Sequence, residues 1–335
     1  MKNWSDAKNF DAFTAYVNQG IQLLNEERST RDSVLLPFSS MQVFAISKQV
    51  DKLYTSFEIP KKSGAMRQID APVFHLKLMQ RAIKAMLETA LEESPAAHGF
   101  VRGRSIHTNA AEHVGQDWVL NLDVVGFFPA IHKGRLQVLL KRDPVEYSPE
   151  LARFISTICT KDGVLPQGSP ASPLLTNLVC LRLDKMLGIV AAQFGAKYTR
   201  YADDITFSGT SKAMLCRLLA VVKKVLNSEG FKVHPTKTRI LPASQRQEVT
   251  GLSVHEFVNV PRVYRRRVRA ALHQWEKVGI EETFKKHGYS SARTFVNSLR
   301  GQLGFLEQTS KSAERDFSSE YQRFVVKYDY LCRLS

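Results

Sequence analysis

Three aspartates have the residue type and the setting for metal-dependent chemistry. Asp203 and Asp204 are adjacent, in a segment whose alternating apolar residues predict two strands joined at Ala202, Asp203 and Asp204. Asp123 stands alone in the apolar run WVLNLDVVGFF, which predicts a buried strand ending at Pro129. The Asp-Asp pair alone is weak evidence, because a chain of this length contains about one such pair by chance and a solvated turn would also explain it.

Asp123 gives the pair its significance, because a buried aspartate is costly unless a cation or a partner accompanies it. If neighbouring strands bring Asp123 beside Asp203, their carboxylates form a hard-oxygen site that suits Mg²⁺. Two metal ions roughly 3.5 to 4 Å apart stabilise the attacking and leaving oxygens of an in-line phosphoryl transfer. The predicted reaction is attack by a 3′-hydroxyl on the α-phosphate of a nucleotide.

The segments around these aspartates predict an α+β sheet backed by helices, because a strand, a long helix and a hairpin follow one another. Apolar spacing predicts a helix at residues 11–27, and helices are also predicted at residues 73–91 and in the long apolar segment 174–194. Alternation on both sides of a Lys-Lys-Ser-Gly turn predicts a hairpin at residues 54–72 with a basic tip.

The composition is that of a folded, strongly basic protein. Hydrophobic residues make up 44% of the 335 residues, which is enough for a buried core. The formal net charge of +15 favours a polyanionic partner, with nucleic acid ahead of an anionic membrane. A merely soluble basic protein would have the same charge, so the charge alone does not decide the function.

The cysteines and the apolar runs argue against several classes of protein. Cys159, Cys180, Cys216 and Cys332 lack the spacing of a metal finger, and we expect reduced thiols. No apolar run approaches the roughly 20 residues of a membrane span, and the polar first residues lack a signal-peptide core. We therefore expect a cytoplasmic protein with no membrane partner.

Several motifs, in the same order, resemble the catalytic core of reverse transcriptases. They are Tyr201-Ala202-Asp203-Asp204, LNLDVVGFF around Asp123, and LPQGSPASPLLTN. The resemblance implies a right-hand polymerase fold with fingers, a palm of antiparallel sheet backed by helices, and a helical thumb. It divides the chain into an N-terminal helical extension (1–50), fingers and palm (51–255), and a basic RNA-binding thumb (256–335).

By position, this resemblance assigns the three aspartates to metal binding. Asp123 and Asp203 would bind both ions, Asp204 would assist, and the carbonyl of Val124 would be a further ligand. The expected cofactor is a pair of Mg²⁺ ions, with Mn²⁺ as the alternative ion.

The resemblance also assigns residues around an incoming deoxynucleoside triphosphate (dNTP). An aromatic ring at Phe128 would clash with a ribose 2′-hydroxyl and so select deoxynucleotides, although a core aromatic is the alternative. Gln167 and Gly168 would lie against the nucleotide and the templating base, where glycine permits close backbone approach.

The basic hairpin would hold the triphosphate of the same nucleotide. Arg67 and either Lys61 or Lys62 match the fingers residues of the family. Arginine can grip phosphate oxygens bidentately, and lysine acts as a point charge. A solvated charged turn is the alternative.

Two short motifs narrow the resemblance to bacterial retron enzymes. Asn109 and His113 lie in a motif that resembles the Asn-Ala-x-x-His element, and Val249-Thr250-Gly251 resembles the Val-Thr-Gly element. The resemblance makes both motifs candidates for RNA contact. Asn109 and His113 also share one helix face, so a helix cap or a core hydrogen bond is the alternative.

A retron-type enzyme would bind its own structured non-coding RNA and start DNA synthesis from a guanosine 2′-hydroxyl. The branched RNA-DNA product, trimming by the host RNase H and a nearby effector protein of antiphage defence are further implications of the resemblance. Two alternatives stay open, namely another bacterial reverse transcriptase, such as a group II intron-like enzyme, and a non-catalytic RNA-binding protein on a polymerase scaffold. The intact acidic triad disfavours the second alternative.

The chain becomes more basic after Gly251, and its helical segments there carry a stripe of arginines. Arg262, Arg265, Arg266 and Arg269 have i, i+3, i+4, i+7 spacing, so they would share one helix face. Such a stripe would bind an RNA backbone or stem-loop. The alternative is an exposed helix with solvated charges.

Overall fold

Helices dominate the structure, and short strands pair between them. The computed structural model describes residues 7–28, 33–61, 64–143, 145–312 and 318–334. In chain order the helices are α1 (Ala7–Glu26), α2 (Ser40–Lys48), α3 (Phe74–Glu88), α4 (Ile106–Ala111), α5 (Lys133–Leu140), α6 (Pro149–Ile158), α7 (Ser172–Gln193), α8 (Lys212–Ser228), α9 (Arg262–Lys286), α10 (Ala292–Ser312) and α11 (Ser318–Leu334). The strands are β1 (Tyr54–Pro60), β2 (Met66–Pro72), β3 (Trp118–Asp123), β4 (Lys197–Tyr201), β5 (Asp204–Gly209), β6 (Arg239–Pro242), β7 (Glu248–Val249) and β8 (Leu252–Ser253). No helix within the described ranges combines the length and the apolar content needed to cross a membrane.

The chain folds into two compact units, neither of which is continuous in sequence. The first unit takes its residues from Met1–Phe100, Asp123–Val190 and Ala220–Pro235. The second unit takes its residues from Val101–Leu122, Ala191–Leu219 and Thr236–Ser335.

In the first unit, α1 packs closely against α3. A Cβ atom on Gly20 would lie 2.2 Å from the carbonyl oxygen of Ala82, so only glycine fits at this position. Phe13, Val17 and Ile21 on α1 are buried, which confirms the amphipathic helix predicted at the start of the chain.

The first unit also contains the predicted hairpin. β1 and β2 pair antiparallel, with Tyr54 opposite Pro72 and Pro60 opposite Met66. The predicted helices at residues 73–91 and 174–194 are confirmed by α3 and α7.

The second unit is built on a four-stranded sheet with the strand order β4-β5-β3-β6. β4 and β5 form an antiparallel hairpin, and β6 pairs antiparallel with β3 from Trp118 opposite Pro242. The side chain of Thr206 on β5 donates a hydrogen bond of 3.1 Å to Asn121 Oδ1 on β3. This sheet therefore confirms the predicted hairpin and its neighbouring strand.

A hydrophobic core of the second unit joins β7 and β8 to the C-terminal helices. Its buried residues include Leu252, Trp275, Phe295, Leu303 and Phe324. α9 is interrupted at Gly279, whose φ of 80° is not helical. The helical character predicted for the last part of the chain is confirmed by α9, α10 and α11.

One predicted strand was too long. The sequence predicted a strand that continues to Pro129, whereas β3 ends at Asp123. Val124 forms one isolated bridge, and residues 125–130 are turns. The chain turns here because Gly126 has a φ of 56°, a conformation that glycine adopts at no steric cost.

Candidate active site

The turn between β4 and β5 presents two adjacent carboxylates. Tyr201 pairs with Asp204, so Ala202 and Asp203 form a two-residue turn. Ala202 has a φ of 55°, a left-handed conformation that costs a non-glycine residue about 1 to 2 kcal/mol. The Asp204 side chain is exposed and that of Asp203 is half-buried. The turn is therefore a strained structure that holds two acidic groups at the surface of the second unit.

A buried arginine, which the sequence analysis did not predict, braces this turn. Arg200 on β4 is fully buried, and its Nη1 atom lies 3.4 Å from the carbonyl oxygen of Ala202, to which it donates. A guanidinium is rarely buried without partners. The sequence contained one signal of this burial, because Arg200 lies in a strand of alternating residues directly before the acidic motif.

The backbone around Asp123 is fixed by a short segment that follows α8. His234 N–H donates to the Asp123 carbonyl at 2.7 Å, and Val125 N–H donates to the Lys232 carbonyl at 2.8 Å. These two bonds flank the isolated bridge between Val124 and Val233. The bridge does not use the Val124 carbonyl, which is the oxygen that the sequence predicted as a metal ligand.

The two adjacent phenylalanines after β3 have different surroundings. Phe127 is buried, and its ring centroid lies 5.5 Å from that of Phe231. Phe128 is half-buried, and its ring lies 6.2 Å from that of Phe100. Phe127 is thus the core aromatic, and part of the Phe128 ring remains accessible.

The turn before Phe231 is held by ion pairs that the sequence analysis also missed. Glu229, which is 9% exposed, lies 2.8 Å from Arg135 Nη2 and 3.2 Å from Arg182 Nε. The guanidinium of Arg135 also lies over the Phe231 ring, 5.2 Å from its centroid. This network anchors the segment that fixes the backbone of Asp123.

The loop that contains Gln167 and Gly168 packs against β2. Asp70 N–H donates to the Gln167 carbonyl at 2.8 Å. Gly168 has a φ of 140°, and a Cβ atom there would lie 2.5 Å from the Asp70 carbonyl oxygen. Glycine is therefore required by the close approach of β2. Ser169 fixes the other side of the loop with a 2.9 Å hydrogen bond to Gln80 Oε1.

Asp70 ties the β1–β2 hairpin to the loop after α6. Its Oδ1 atom accepts hydrogen bonds of 2.6 Å from both Lys161 Nζ and Ser56 Oγ. Burial raises the pKa of Asp70, but hydrogen bonds from Lys161, Ser56 and Gln68 outweigh burial and leave that pKa below its ordinary value. The carboxylate is therefore charged at neutral pH and holds Lys161 in place.

The basic tip of the hairpin is exposed. Arg67 lies opposite Ile59, and both Arg67 and Lys61 are exposed. The turn closes through Lys61 N–H, which donates to the Ala65 carbonyl at 2.8 Å. Lys62, the other predicted triphosphate ligand, lies outside the described residues.

The predicted metal ligands have suitable donor chemistry. Among the residues that the structure describes, no three His, Cys, Asp or Glu side chains form a ready-made metal cluster. Mg²⁺ at phosphoryl-transfer sites is usually held by one or two carboxylates together with substrate phosphates and waters, so a complete protein cage is not required. Asp123 belongs to the first unit, whereas Asp203 and Asp204 belong to the second. It stays a prediction that the three aspartates bind the same metal ions.

Comparison with known protein families decides the class of this chain. The family model described as reverse transcriptase (RNA-dependent DNA polymerase) matches residues 59–255, which is more than half of the chain. The chain belongs to the reverse transcriptase family. It is an RNA-directed DNA polymerase with the mixed helix and antiparallel-sheet fold of these enzymes, and its activity depends on divalent metal.

Individual relatives narrow the family to the bacterial retron enzymes. Retron Mx162 reverse transcriptase of Myxococcus xanthus is 34% identical over an alignment that covers 95% of this chain and 72% of the relative. Retron Mx65 reverse transcriptase of the same organism is 39% identical over 70% of this chain and 58% of the relative. Retron Ec86 reverse transcriptase of Escherichia coli is 26% identical over 93% of both chains. The chain is a bacterial retron reverse transcriptase.

The histidine of the retron motif after α4 lies inside the second unit of this reverse transcriptase. His113 is fully buried, and its ring nitrogens lie 2.7 Å from Ser208 Oγ on β5 and 2.8 Å from Thr199 Oγ1 on β4. His113 therefore joins the segment just after α4 to both strands of the acidic hairpin, which is the β4–β5 hairpin that contains Asp203 and Asp204. Asn109 is 1% exposed, and neither polar atom of its side chain has a hydrogen-bond partner among the described residues. Both side chains would have to leave the core before they could contact RNA directly.

The Val-Thr-Gly motif of the reverse transcriptase forms the turn between β7 and β8. Val249 pairs with Leu252, and Thr250 and Gly251 have φ values of 48° and 82°. Positive φ at both central residues is the geometry of a type I′ hairpin turn, which disfavours a β-branched residue such as threonine. Thr250 Oγ1 donates to the Ile106 carbonyl at 3.2 Å, so this turn is attached to the first residue of α4, the helix that contains Asn109. Val249 is fully buried, and Gly251 is exposed.

The arginine stripe lies on the first turns of α9. Arg262, Arg265, Arg266 and Arg269 line one pocket of about 310 Å³. On an adjoining face of the helix, Val268 and Leu272 are buried in the core of the second unit. The helical spacing predicted from the sequence therefore places these four guanidinium groups together, and their contact with RNA stays a prediction.

Proposed function

We propose that this reverse transcriptase copies part of a cognate structured non-coding RNA into single-stranded DNA. Synthesis starts from a guanosine 2′-hydroxyl and gives a branched RNA-DNA product, from which the host RNase H removes template RNA. The enzyme acts in the cytoplasm as part of an antiphage defence system that includes an effector protein. The observation that carries this proposal is the 34% identity to a retron reverse transcriptase over 95% of the chain.

The proposed metal site consists of the carboxylates of Asp123, Asp203 and Asp204 and the carbonyl of Val124. They would hold two Mg²⁺ ions, for which Mn²⁺ could substitute. When bound, the ions supply charge stabilisation for the attacking and leaving oxygens of nucleotidyl transfer. Support comes from the exposed Asp204, the strained turn at Ala202 and the Val124 carbonyl, which the neighbouring bridge does not use.

Residues of the first unit would bind and select the dNTP. Arg67 and Lys61 at the exposed hairpin tip would bind the triphosphate, with Lys62 as the alternative lysine. The accessible part of the Phe128 ring would exclude a ribose 2′-hydroxyl. Gln167 and Gly168 would position the templating base, and their attachment to β2 would couple that loop to the hairpin.

RNA recognition would use the chain beyond residue 255, which we propose as the thumb, with residues 51–255 as fingers and palm and residues 1–50 as an N-terminal extension. Support comes from the pocket formed by the arginine stripe of α9, because clustered guanidinium groups bind phosphates. The Val-Thr-Gly turn offers the exposed Gly251 as a second contact. Asn109 and His113 would position the acidic hairpin and affect RNA indirectly.

The proposal is tested by the nucleic acid that the enzyme makes in cells. The chain is expressed with the genomic region that flanks its gene, purified, and its bound nucleic acid is treated with RNase, DNase and a 2′,5′-debranching enzyme. We expect a DNA whose mobility changes after debranching, and no such DNA with Asp203→Asn. DNA without a branched linkage would contradict priming from a 2′-hydroxyl and favour another type of bacterial reverse transcriptase.

A further inference from the structure

A second basic pocket lies in the first unit, on a surface that has no role in the nucleotide site described above. It has a volume of about 260 Å³ and is lined by Ser47, Lys48, Lys133, Gln137, Arg153 and Thr157. These residues come in pairs from the C-terminal end of α2, from α5 and from α6. Three helices therefore converge on one concavity that contains three cations.

All the charged side chains that line this pocket are positive. The six lining residues, all in the described part of the chain, are three basic and three neutral polar side chains. Lys133 and Gln137, like Arg153 and Thr157, are four positions apart on their helices, so each pair faces the same way. Arg153 acts electrostatically on Lys133, and like charges that interact in this way repel one another unless an anion is present.

Lys133 carries the clearest sign of this electrostatic cost. Burial lowers the pKa of Lys133, the Asp51 carboxylate raises it, and the Arg153 guanidinium lowers it again. Lys133 is also the first residue of α5, where the helix dipole disfavours a cation. The Asp51 carboxylate already accepts a hydrogen bond of 2.9 Å from the Asp162 N–H. A bound anion would offset both the repulsion between Lys133 and Arg153 and the unfavourable position of Lys133 at the start of α5.

We propose that this pocket binds a backbone phosphate of RNA outside the catalytic site. Pockets that enclose drug-sized ligands measure about 300 to 1,000 Å³, so this smaller pocket suits a phosphate group with its adjoining atoms better than a complete nucleotide. Among the lining cations, Arg153 and Lys48 are exposed and Lys133 is half-buried. The inference rests on RNA binding by the enzyme and not on the branched product.

The test measures binding of a fluorescein-labelled blunt RNA hairpin of arbitrary sequence to the full chain at several salt concentrations. Lys48→Gln with Arg153→Gln removes two exposed cations of the pocket. Lys141→Gln with Lys185→Gln removes two exposed lysines elsewhere in the first unit and is the matched control. A third variant, Lys48→Arg with Arg153→Lys, keeps both charges.

We expect the pocket variant to weaken RNA binding several-fold and to reduce the slope of log affinity against log salt by about 1, because the loss of one phosphate contact removes about one released counterion. The control and the charge-keeping variant should bind like the unchanged enzyme. Extension of an oligo(dT) primer on poly(rA) at saturating template should also be unchanged, which separates this result from damage to the active site. Thermal unfolding verifies that each variant is folded.

Two results would overturn the proposal. One is an RNA affinity and salt slope in the pocket variant equal to those of the control. The other is saturable binding of inorganic phosphate that the pocket variant abolishes while RNA affinity stays unchanged, which would identify a site for a small anion. Because the hairpin RNA has an arbitrary sequence, either result leaves the retron-type product to be tested independently.

Discussion

Phe128 is the residue at which sugar selection is most directly testable. Its ring is half-buried beside Phe100, whereas the neighbouring Phe127 ring is buried against Phe231. We predict that Phe128→Ala allows incorporation of ribonucleotides, because the ring no longer excludes the 2′-hydroxyl. Primer extension gives kcat/KM for dNTPs and for ribonucleotides. The value for dNTPs divided by the value for ribonucleotides should fall by about 10-fold or more.

Phe127→Ala is the matched control for this prediction. Deleting a buried aromatic ring should cost about 3 to 5 kcal/mol of stability, without a specific gain in ribonucleotide incorporation. An unchanged sugar preference in a folded Phe128→Ala enzyme would contradict the assigned role and leave Phe128 as a core aromatic.

Single residues also illustrate which parts of the site the sequence could predict. The adjacent Asp203 and Asp204 and the alternation around them were sufficient to predict a hairpin with acidic residues at its turn. Burial of Arg200 and His113 could not be predicted, because it depends on which elements pack over the strands. Helical spacing predicted that Asn109 and His113 share one helix face, whereas α4 ends at Ala111 and His113 lies in the turn beyond it. Spacing also could not tell whether these side chains meet solvent, RNA or the sheet.

At the scale of elements, β2 and the loop at Gly168 act as one structure. We predict that Gly168→Ala destabilises the protein by about 1 to 3 kcal/mol, because the backbone conformation disfavours alanine and its Cβ would collide with the Asp70 carbonyl. Urea unfolding measures the loss. The KM for dNTP should rise as well, since the same loop would position the templating base.

Gly188→Ala is the control for Gly168→Ala. Gly188 lies within α7, and a Cβ atom there would have no atom within 4 Å in the described part of the chain apart from the nearby backbone of its own helix. Alanine should raise the stability by about 0.5 to 1 kcal/mol at this helical position. Equal stability of both variants would mean that the close approach between the loop and β2 does not constrain the fold.

The first turns of α9 carry the second prediction at this scale. We predict that reversing Arg265 and Arg266 to Glu weakens binding to the cognate RNA and lowers its dependence on salt, because phosphate contacts are lost. Fluorescence titrations at several salt concentrations measure both effects. Arg267→Glu is the comparison, since Arg267 is exposed on α9 but does not line the arginine pocket. Unchanged titrations of the double variant would contradict RNA binding by the stripe.

The sequence predicted several helices correctly, but it did not predict every strand end and turn. Apolar periodicity predicted α1, and the apolar content of residues 174–194 predicted α7. The predicted end of β3 was wrong because Gly126 allows the chain to turn before Pro129, and an apolar run does not reveal where a strand stops hydrogen bonding. The type I′ turn at Thr250 was not predicted, because threonine seldom adopts a positive φ.

At the scale of the whole molecule, the net charge of +15 and the family assignment both indicate that the partner is nucleic acid. The basic side chains are grouped at separate places, namely the hairpin tip, the arginine pocket of α9 and the pocket between α2, α5 and α6. Each group would bind phosphate in a different role. The catalytic proposal requires in addition that Asp123, Asp203 and Asp204 hold the same pair of metal ions.

The most direct test of that requirement is primer extension on an RNA template by the purified Asp203→Asn enzyme in Mg²⁺ and in Mn²⁺. We predict that DNA synthesis falls by about 100-fold or more, because a neutral amide replaces a metal-binding carboxylate, while thermal unfolding and RNA affinity stay unchanged. Asp117→Asn, at an exposed aspartate of the second unit, should leave synthesis intact. Full DNA synthesis by a correctly folded Asp203→Asn enzyme would contradict the two-metal account.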